Sequence, residues 1–149
     1  MSAPAPRIQR APFSELTVSR FHDLVRLRVE VFVVEQECAY PELDGLDPRS
    51  EHWWMEEPEG GSAPVVAVAR TYLREGTTVI GRVATRRDRR GRGLARDLVG
   101  AILSSGPREF FLEAQAHLVD WYRSMGFEAV GPGTVLDGIP HVPMALSLD

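Results

Sequence analysis

Six arginines and a single acid, Asp88, crowd the stretch from Arg86 to Arg96. Inside it stands Arg90-Gly91-Arg92-Gly93-Leu94-Ala95, followed by Arg96, between a run that reads as a strand and one that reads as a helix. Glycines let backbone N–H groups come close to a ligand. The start of a helix adds unpaired donors and partial positive charge. Together they make a seat for a diphosphate. The local +5 stands against −9 for the rest of the chain, which favours an anion site over chance; the plain alternative is a solvated basic turn. A dinucleotide fingerprint is a rival, with Gly91 and Gly93 as its first two glycines and Glu113 at about the distance of its ribose acid. Arg96 stands where the third glycine belongs, and only one strand–helix–strand unit is present.

Tyr122 is the second candidate, in Tyr122-Arg123-Ser124-Met125-Gly126-Phe127. A phenol with an ordinary pKa near ~10 is a poor base and a usable acid toward a departing thiolate. Its plain alternative is a packed core aromatic. The third is the segment Glu35 to Glu59, with nine carboxylates and one Arg, beside His52. It could attract a cationic amine or simply be a solvated acidic loop. The histidines are His22, His52, His117 and His141, with no spacing that suits a metal. His52 and His141 each begin a strand beside a polar loop and are the best-placed bases. Cys38 is the only cysteine, so no intrachain disulfide or Cys-rich zinc site forms.

These residues need elements to hold them. Ile8 to Ala11 reads as a short strand. Thr17 caps a helix running to about Val34, with Val18, Phe21, Val25, Val29 and Phe32 at helical spacing and Leu24, Leu27, Val31 and Val34 widening the stripe. Glu35 to Ser50 has no clean period and reads as loop or short helical turns. His52 to Glu56 reads as a strand. Val65 to Leu73 and Thr77 to Thr85 form an antiparallel hairpin about Glu75-Gly76. Leu94 to Ser105 is a helix, Glu109 to Ala114 a buried strand, and Leu118 to Met125 a short helix closed by Gly126. Phe127 to Val130 and His141 to Leu146 are terminal strands, with Asp137-Gly138 between them. The class is α+β, or mixed α/β, around one sheet.

The chain has 149 residues, the size of one domain spanning 1–149, with Met1 to Pro6 frayed. A 44% hydrophobic and 26% charged composition suits a soluble globular protein. A net charge of −4 argues against a nucleic-acid-binding polycation. All 17 basic residues are Arg, which excludes a Walker A loop and a pyridoxal Schiff base, since each needs a Lys. No apolar run approaches the ~20 residues of a membrane helix, and the first residues have no secretory h-region. A cytoplasmic protein without a membrane partner is expected.

Taken together, these motifs resemble the GNAT superfamily of acyl-CoA-dependent N-acyltransferases. Its Arg/Gln-x-x-Gly-x-Gly/Ala loop is matched by Arg90, Gly93 and Ala95, and its Tyr-x-x-x-Gly-Phe by Tyr122, Gly126 and Phe127. Further blocks are similar to the ElaA-like branch: Leu27 to Gln36, then Tyr40, Asp44-Gly45, Asp47 and His52; Gly81-Arg82-Val83; Ala114 to His117; and Asp137 to His141. The first block is also similar to autoinducer synthases, which share the fold. The likeness runs from about Phe13 to Met144.

The resemblance implies a mostly antiparallel sheet of six or seven strands flanked by helices, with Thr77–Thr85 and Glu109–Ala114 parallel and splayed at one end. Acetyl-CoA would be the co-substrate, with no metal. Its pantetheine would pair with the backbone of Val83, Ala84 and Thr85. Its diphosphate would sit on the N–H groups from Arg90 through Gly91, Arg92, Gly93, Leu94 and Ala95, with Arg86, Arg87 or Arg96 reaching the outer phosphates. Gln115 stands where many members have a pantetheine-binding Asn. Tyr122 would serve the leaving thiolate, and an N–H near Val83 the oxyanion. Thr77–Thr85 lacks the carboxylate many members use as base, leaving water as the base, or His52, His141 or a carboxylate such as Glu35 or Asp44 as a relay through water. The same four residues are the candidate contacts to the acceptor, a small-molecule or peptide amine. Leu136 replaces an acidic residue of the branch. A fold that binds acyl-CoA without transfer is the reading from another class. Homodimers are a family habit that no feature of this sequence decides.

Overall fold

The computed structural model describes residues 5–148; most of the expected frayed terminus, residues 1–4, lies outside them. Eight strands form one sheet: β1 (Arg7–Pro12), β2 (Glu51–Glu56), β3 (Val65–Arg74), β4 (Thr77–Thr85), β5 (Glu109–Gln115), β6 (Glu128–Ala129), β7 (Thr134–Leu136) and β8 (Ile139–Ser147). The order is β1-β2-β3-β4-β5-β8-β6, with β7 also on β8. All pairings are antiparallel except β4 with β5. The eighth strand, beyond the six or seven expected, is β7, which turns into β8 through Asp137 and Gly138, both at positive φ. Two such residues make the hairpin turn that matches strand twist, and Glu75-Gly76 does the same between β3 and β4.

Helix α1 (Val18–Val29) starts where expected: the Thr17 side chain accepts from Arg20 N–H at 3.0 Å. It does not remain an α-helix to Val34. From Glu30 to Glu35 the turn widens to a π-helix, with Gln36 N–H donating to Val31 O and Cys38 N–H to Val33 O. The buried side is also narrower than the apolar stripe suggested. Leu24, Leu27, Arg28 and Val31 are buried, whereas Val18 and Val34 are exposed.

Two cores result, one on each face of the sheet. Leu24, Leu27 and Val31 pack with Trp54, Val68 and Ala84 on one face. On the other, α2 (Leu94–Leu103) and α3 (Val119–Arg123) bury Leu94, Leu98, Val99, Ile102 and Tyr122 against Phe110, Leu112, Ala114 and Met144. Side chains alternate along a strand. Since Phe110, Leu112 and Ala114 face α2 and α3, Glu113 and Gln115 face the side of α1. The register pairs Glu113 with Pro143 and Gln115 with His141, so His141 shares that side.

Between β4 and β5 the ladder stops early. Only Thr78 with Phe110 and Val79 with Phe111 pair, and beyond Val79 the strands part. β4 is bent there by a bulge: its register to β3 slips between Val68 and Arg70, and Arg82 sits at φ +54°.

Candidate functional site

The parted strands open a cleft of about 650 Å³. It is reached from both faces of the sheet: Ala95, Leu118, Trp121 and Tyr122 line it from the α2–α3 side, and Val31, Phe32, Glu35 and Gln36 from the α1 side. Val83, Ala84, Thr85, Arg90, Gln115, Asp44 and His141 are also in its wall. The splay thus gathers most of the residues that the sequence singled out.

On the phosphate side, Gly91 and Gly93 both take positive φ, at +80° and +75°, where glycine is the favoured residue. Gly93 is the N-cap of α2 and supplies no side-chain acceptor. The first N–H groups of the helix therefore keep their free donors, which fits an anion. The arginine side chains are more engaged than their number suggested. Arg90 grips Glu35 with two bonds of 2.6 and 2.7 Å and donates to Thr85 O. Arg86 and Arg89 bind Asp88, Arg89 and Arg92 bind Glu57, and Arg96 binds Ser124. Arg87 alone of the six has no such partner among the described residues. The +5 is largely compensated within the fold.

The acidic segment is neutralised in the same way, and its reading as an amine attractor fails. Glu42, Asp44 and Asp47 close a ring with three arginines. Arg28 reaches Glu42 at 2.7 Å and Asp47 at 2.8 Å; Arg82 reaches Glu42 at 2.7 Å and Asp44 at 3.2 Å; Arg70 reaches Asp44 at 2.9 Å and Asp47 at 3.1 Å. The Tyr40 hydroxyl also donates to Glu42. The Arg28, Glu42, Asp47 and Arg70 side chains are 5% exposed or less. Arg70 Nε is the one buried side-chain nitrogen or oxygen without a partner among the described residues.

This ring corrects Asp44 as a base. Burial alone would raise its pKa, but the hydrogen bonds from Arg70 and Leu46 N–H and the charges of Arg70 and Arg82 hold it at about 2, too low to take a proton from an ammonium. Glu35 is likewise held down, first by its hydrogen bonds from Arg90. His52 is corrected on position. It is 1% exposed, packs against the rings of Phe13 and Phe21, and places Nε2 3.1 Å from Asp47 O. It is absent from the cleft wall, and burial lowers its pKa. Its work is structural.

His141 and Tyr122 stand differently. His141 Nδ1 lies 2.7 Å from Ile139 O. A carbonyl only accepts, so Nδ1 carries the hydrogen and the neutral ring has its lone pair on Nε2, which has no partner among the described residues. Tyr122 is 6% exposed. It packs edge-on to Trp121 and Phe127, and its hydroxyl has no hydrogen-bond partner among the described residues. Burial pushes its pKa well above the usual phenol range, so the group remains an acid at neutral pH. Gln115 is occupied: it and Gln36 exchange two amide hydrogen bonds of 3.1 Å across the cleft.

A family model described as an acetyltransferase (GNAT) domain matches residues 21–148. The chain belongs to the GNAT acetyltransferase family. Within it, the chain sits in the ElaA-like branch. The ElaA protein of Escherichia coli is 36% identical over 145 residues, covering 89% of this chain and 90% of that protein. Its crystal structure superposes with a TM-score of 0.85 over 96% of this chain and all of that one, at 33% identity. An acyl-CoA N-acyltransferase from Pseudomonas aeruginosa gives a TM-score of 0.87 at 35% identity, over 96% of this chain and 100% of that one. A UPF0039 protein of Mycobacterium tuberculosis is 40% identical over 141 residues, 92% of this chain and 90% of that protein.

An acyltransferase of this family takes an acyl-CoA as co-substrate, and the observed features of this GNAT chain fit one. The free N–H groups at the start of α2 suit a diphosphate. The unpaired edge of β4 past Val79 suits a pantetheine arm, which can bond there as an added strand would. Two acidic residues of the cleft wall, Glu113 and Asp137, are not among the residues that the sequence marks as candidate acceptor contacts. In the sequence Glu113 draws notice only by its distance from the glycine loop, and Asp137 only as a turn residue and the first residue of the Asp137 to His141 block. Both line the cleft, and neither has an ion pair or side-chain hydrogen bond among the described residues. Strand alternation through Leu112 and Ala114 could have shown that Glu113 faces away from the core.

Proposed function

We propose that this protein transfers an acetyl group from acetyl-CoA to a primary amine by direct attack. The observation that carries this reading is the parting of β4 from β5 beyond Val79, with the unpartnered Tyr122 hydroxyl on one face of the opening and the unpartnered His141 Nε2 on the other.

The bound co-substrate supplies a thioester: the amine nitrogen forms the C–N bond, the C–S bond breaks, and the thiol departs. An amine is mostly protonated at pH 7 and must lose a proton to attack. His141 Nε2 accepts that proton, directly or through a water, and Nδ1–H remains on Ile139 O to hold the ring. A backbone N–H at the β4 bulge, nearest Val83, faces the oxygen that gains charge; donors placed there strengthen in the transition state. The Tyr122 hydroxyl donates to the departing sulfur. Its burial keeps the proton in place until then. The backbone of Val83, Ala84 and Thr85 holds the pantetheine arm, and the N–H groups of Arg90 to Ala95 hold the diphosphate.

The test is calorimetric titration with acetyl-CoA, with NAD as control, followed by thiol release with a panel of amines. Acetyl-CoA binding with amine-dependent release of thiol is expected. Binding without release by any amine would leave the fold as an acyl-CoA-binding module. NAD binding in place of acetyl-CoA would overturn the reading altogether.

A further inference from the structure

Five charged side chains in the cleft wall are paired within the chain: Arg90 with Glu35, and Arg70 and Arg82 with Asp44. Glu35 balances Arg90, and Glu42 and Asp47 join Asp44 in balancing Arg70, Arg82 and Arg28, so these charges cancel. Glu113 and Asp137 are in the same wall and have no cation among the described residues. With neutral histidines the cleft therefore carries two uncompensated negative charges. They are placed to matter. Glu113 is on the α1 side of β5, two residues before Gln115, and the register sets Gln115 against His141. Asp137 is in the turn that leads into β8, four residues before His141, and its carbonyl accepts from Cys38 Sγ at 3.2 Å, which ties the turn to the cleft rim. The free Nε2 of His141 lies on the same side of the sheet. Opposite, nine-tenths buried, is the unpartnered Tyr122 hydroxyl, a polar group left open to whatever fills the cleft.

An amine that enters from the α1 side thus meets a proton acceptor and two carboxylates, but no free cation. A carboxylate on the acceptor would find no guanidinium in the cleft wall that is not already held. We propose that the acceptor is a primary amine with a second cationic nitrogen, the chemistry of a di- or polyamine, and that Glu113 and Asp137 hold the second charge while the first nitrogen faces His141. This rests on the amine-acetyltransferase reading above and names its substrate class. Opposite charges that meet in a cleft raise both local concentration and selectivity.

The experiment is calorimetric titration of the CoA-loaded protein with 1,4-diaminobutane and with butylamine, at two salt concentrations, alongside thiol release from acetyl-CoA with the same amines. The diamine is expected to bind about tenfold tighter than butylamine, with the preference shrinking at high salt. Both carboxylates are exposed, so the Glu113→Gln/Asp137→Asn variant should fold normally. It is expected to bring the ratio of the two affinities close to one. A ratio near one in the unaltered protein, or a ratio that survives the double substitution, would overturn the proposal. If the diamine is preferred but no thiol is released, the transfer reading fails and this inference stands. If butylamine and diamine are acetylated alike, the transfer reading stands and this inference fails.

Discussion

Replacing Glu42 with Gln removes one charge from the ring of Arg28, Glu42, Arg82, Asp44, Arg70 and Asp47. Glu42 Oε2 accepts from both Arg28 and Arg82, and Oε1 accepts from Tyr40. Gln keeps the volume and one acceptor oxygen but leaves the ring with a net +1. The cost falls mainly on Arg28, whose side chain is 2% exposed; Arg82, at 19%, can turn partly to water. Removing one partner of a buried pair costs about 3–5 kcal/mol. Asp47 still holds Arg28, so the lower figure, about 3 kcal/mol, is the one to expect. For a chain of this size 1 kcal/mol moves Tm by roughly 2–4 °C, so Tm should fall by about 6–12 °C. Calorimetry and urea unfolding would both read it, the latter as a lower midpoint at unchanged slope. The double variant Arg28→Met/Glu42→Gln removes a cation as well and restores charge balance. It should be more stable than the sum of the two single losses by about 1.5 kcal/mol or more, the scale of coupling within one network. A fall in Tm of less than ~2 °C for Glu42→Gln, or strict additivity in the cycle, would refute the account of the ring as a coupled unit.

Tyr122→Phe keeps the ring packing and removes the acid; turnover should drop about 10²-fold while the calorimetric affinity for acetyl-CoA stays within a factor of about three. For His141→Gln we expect a loss of similar size at pH 7 that narrows as pH rises toward the pKa of the amine, because free amine then needs no base; a loss independent of pH would count against that role. In acid, Asp44 and Asp47 have folded pKa values below the unfolded ones, so the stability they contribute is present above about pH 4 and is lost as pH falls through the folded values, about 2 for Asp44. His52 is also lowered, so its part begins to fade below about pH 6.5; a urea midpoint that stays flat across this range would contradict both. Gly126→Ala places a Cβ 2.7 Å from Leu146 Cδ1 at φ +105°, and should cost about 1–3 kcal/mol in a thermal melt.

Local chemistry made the fold legible. Glu75-Gly76 announced the β3–β4 hairpin, Thr17 the start of α1, and Gly93 the start of α2, because each of these signals acts over a few residues. The motif residues Arg90, Ala95 and Tyr122 did come to one cleft. β7 escaped because Thr134, Val135 and Leu136 are all exposed and show no alternation. The ring escaped because its partners lie 14 to 40 residues apart, beyond any local period. A clue existed: Arg28 follows Leu24 by four and precedes Val31 by three, which puts it on the buried side of α1. The choice of His52 as a base failed for a related reason. A histidine opening a strand beside a polar loop looks open to solvent, but Phe13 and Phe21 cover it.

The segment from Glu37 to Ser50 has little regular structure, yet it lacks the freedom that usually comes with irregularity. Its carboxylates at Glu42, Asp44 and Asp47 are each gripped by two guanidinium groups, from α1, β3 and the β4 bulge. Insertions and recombination breakpoints are commonly tolerated in loops, but here they would shift three anchors at once. Anyone grafting a new specificity onto this scaffold would do better at the β7–β8 hairpin, whose tip is exposed, than in the longer stretch that sequence alone presents as the adaptable one.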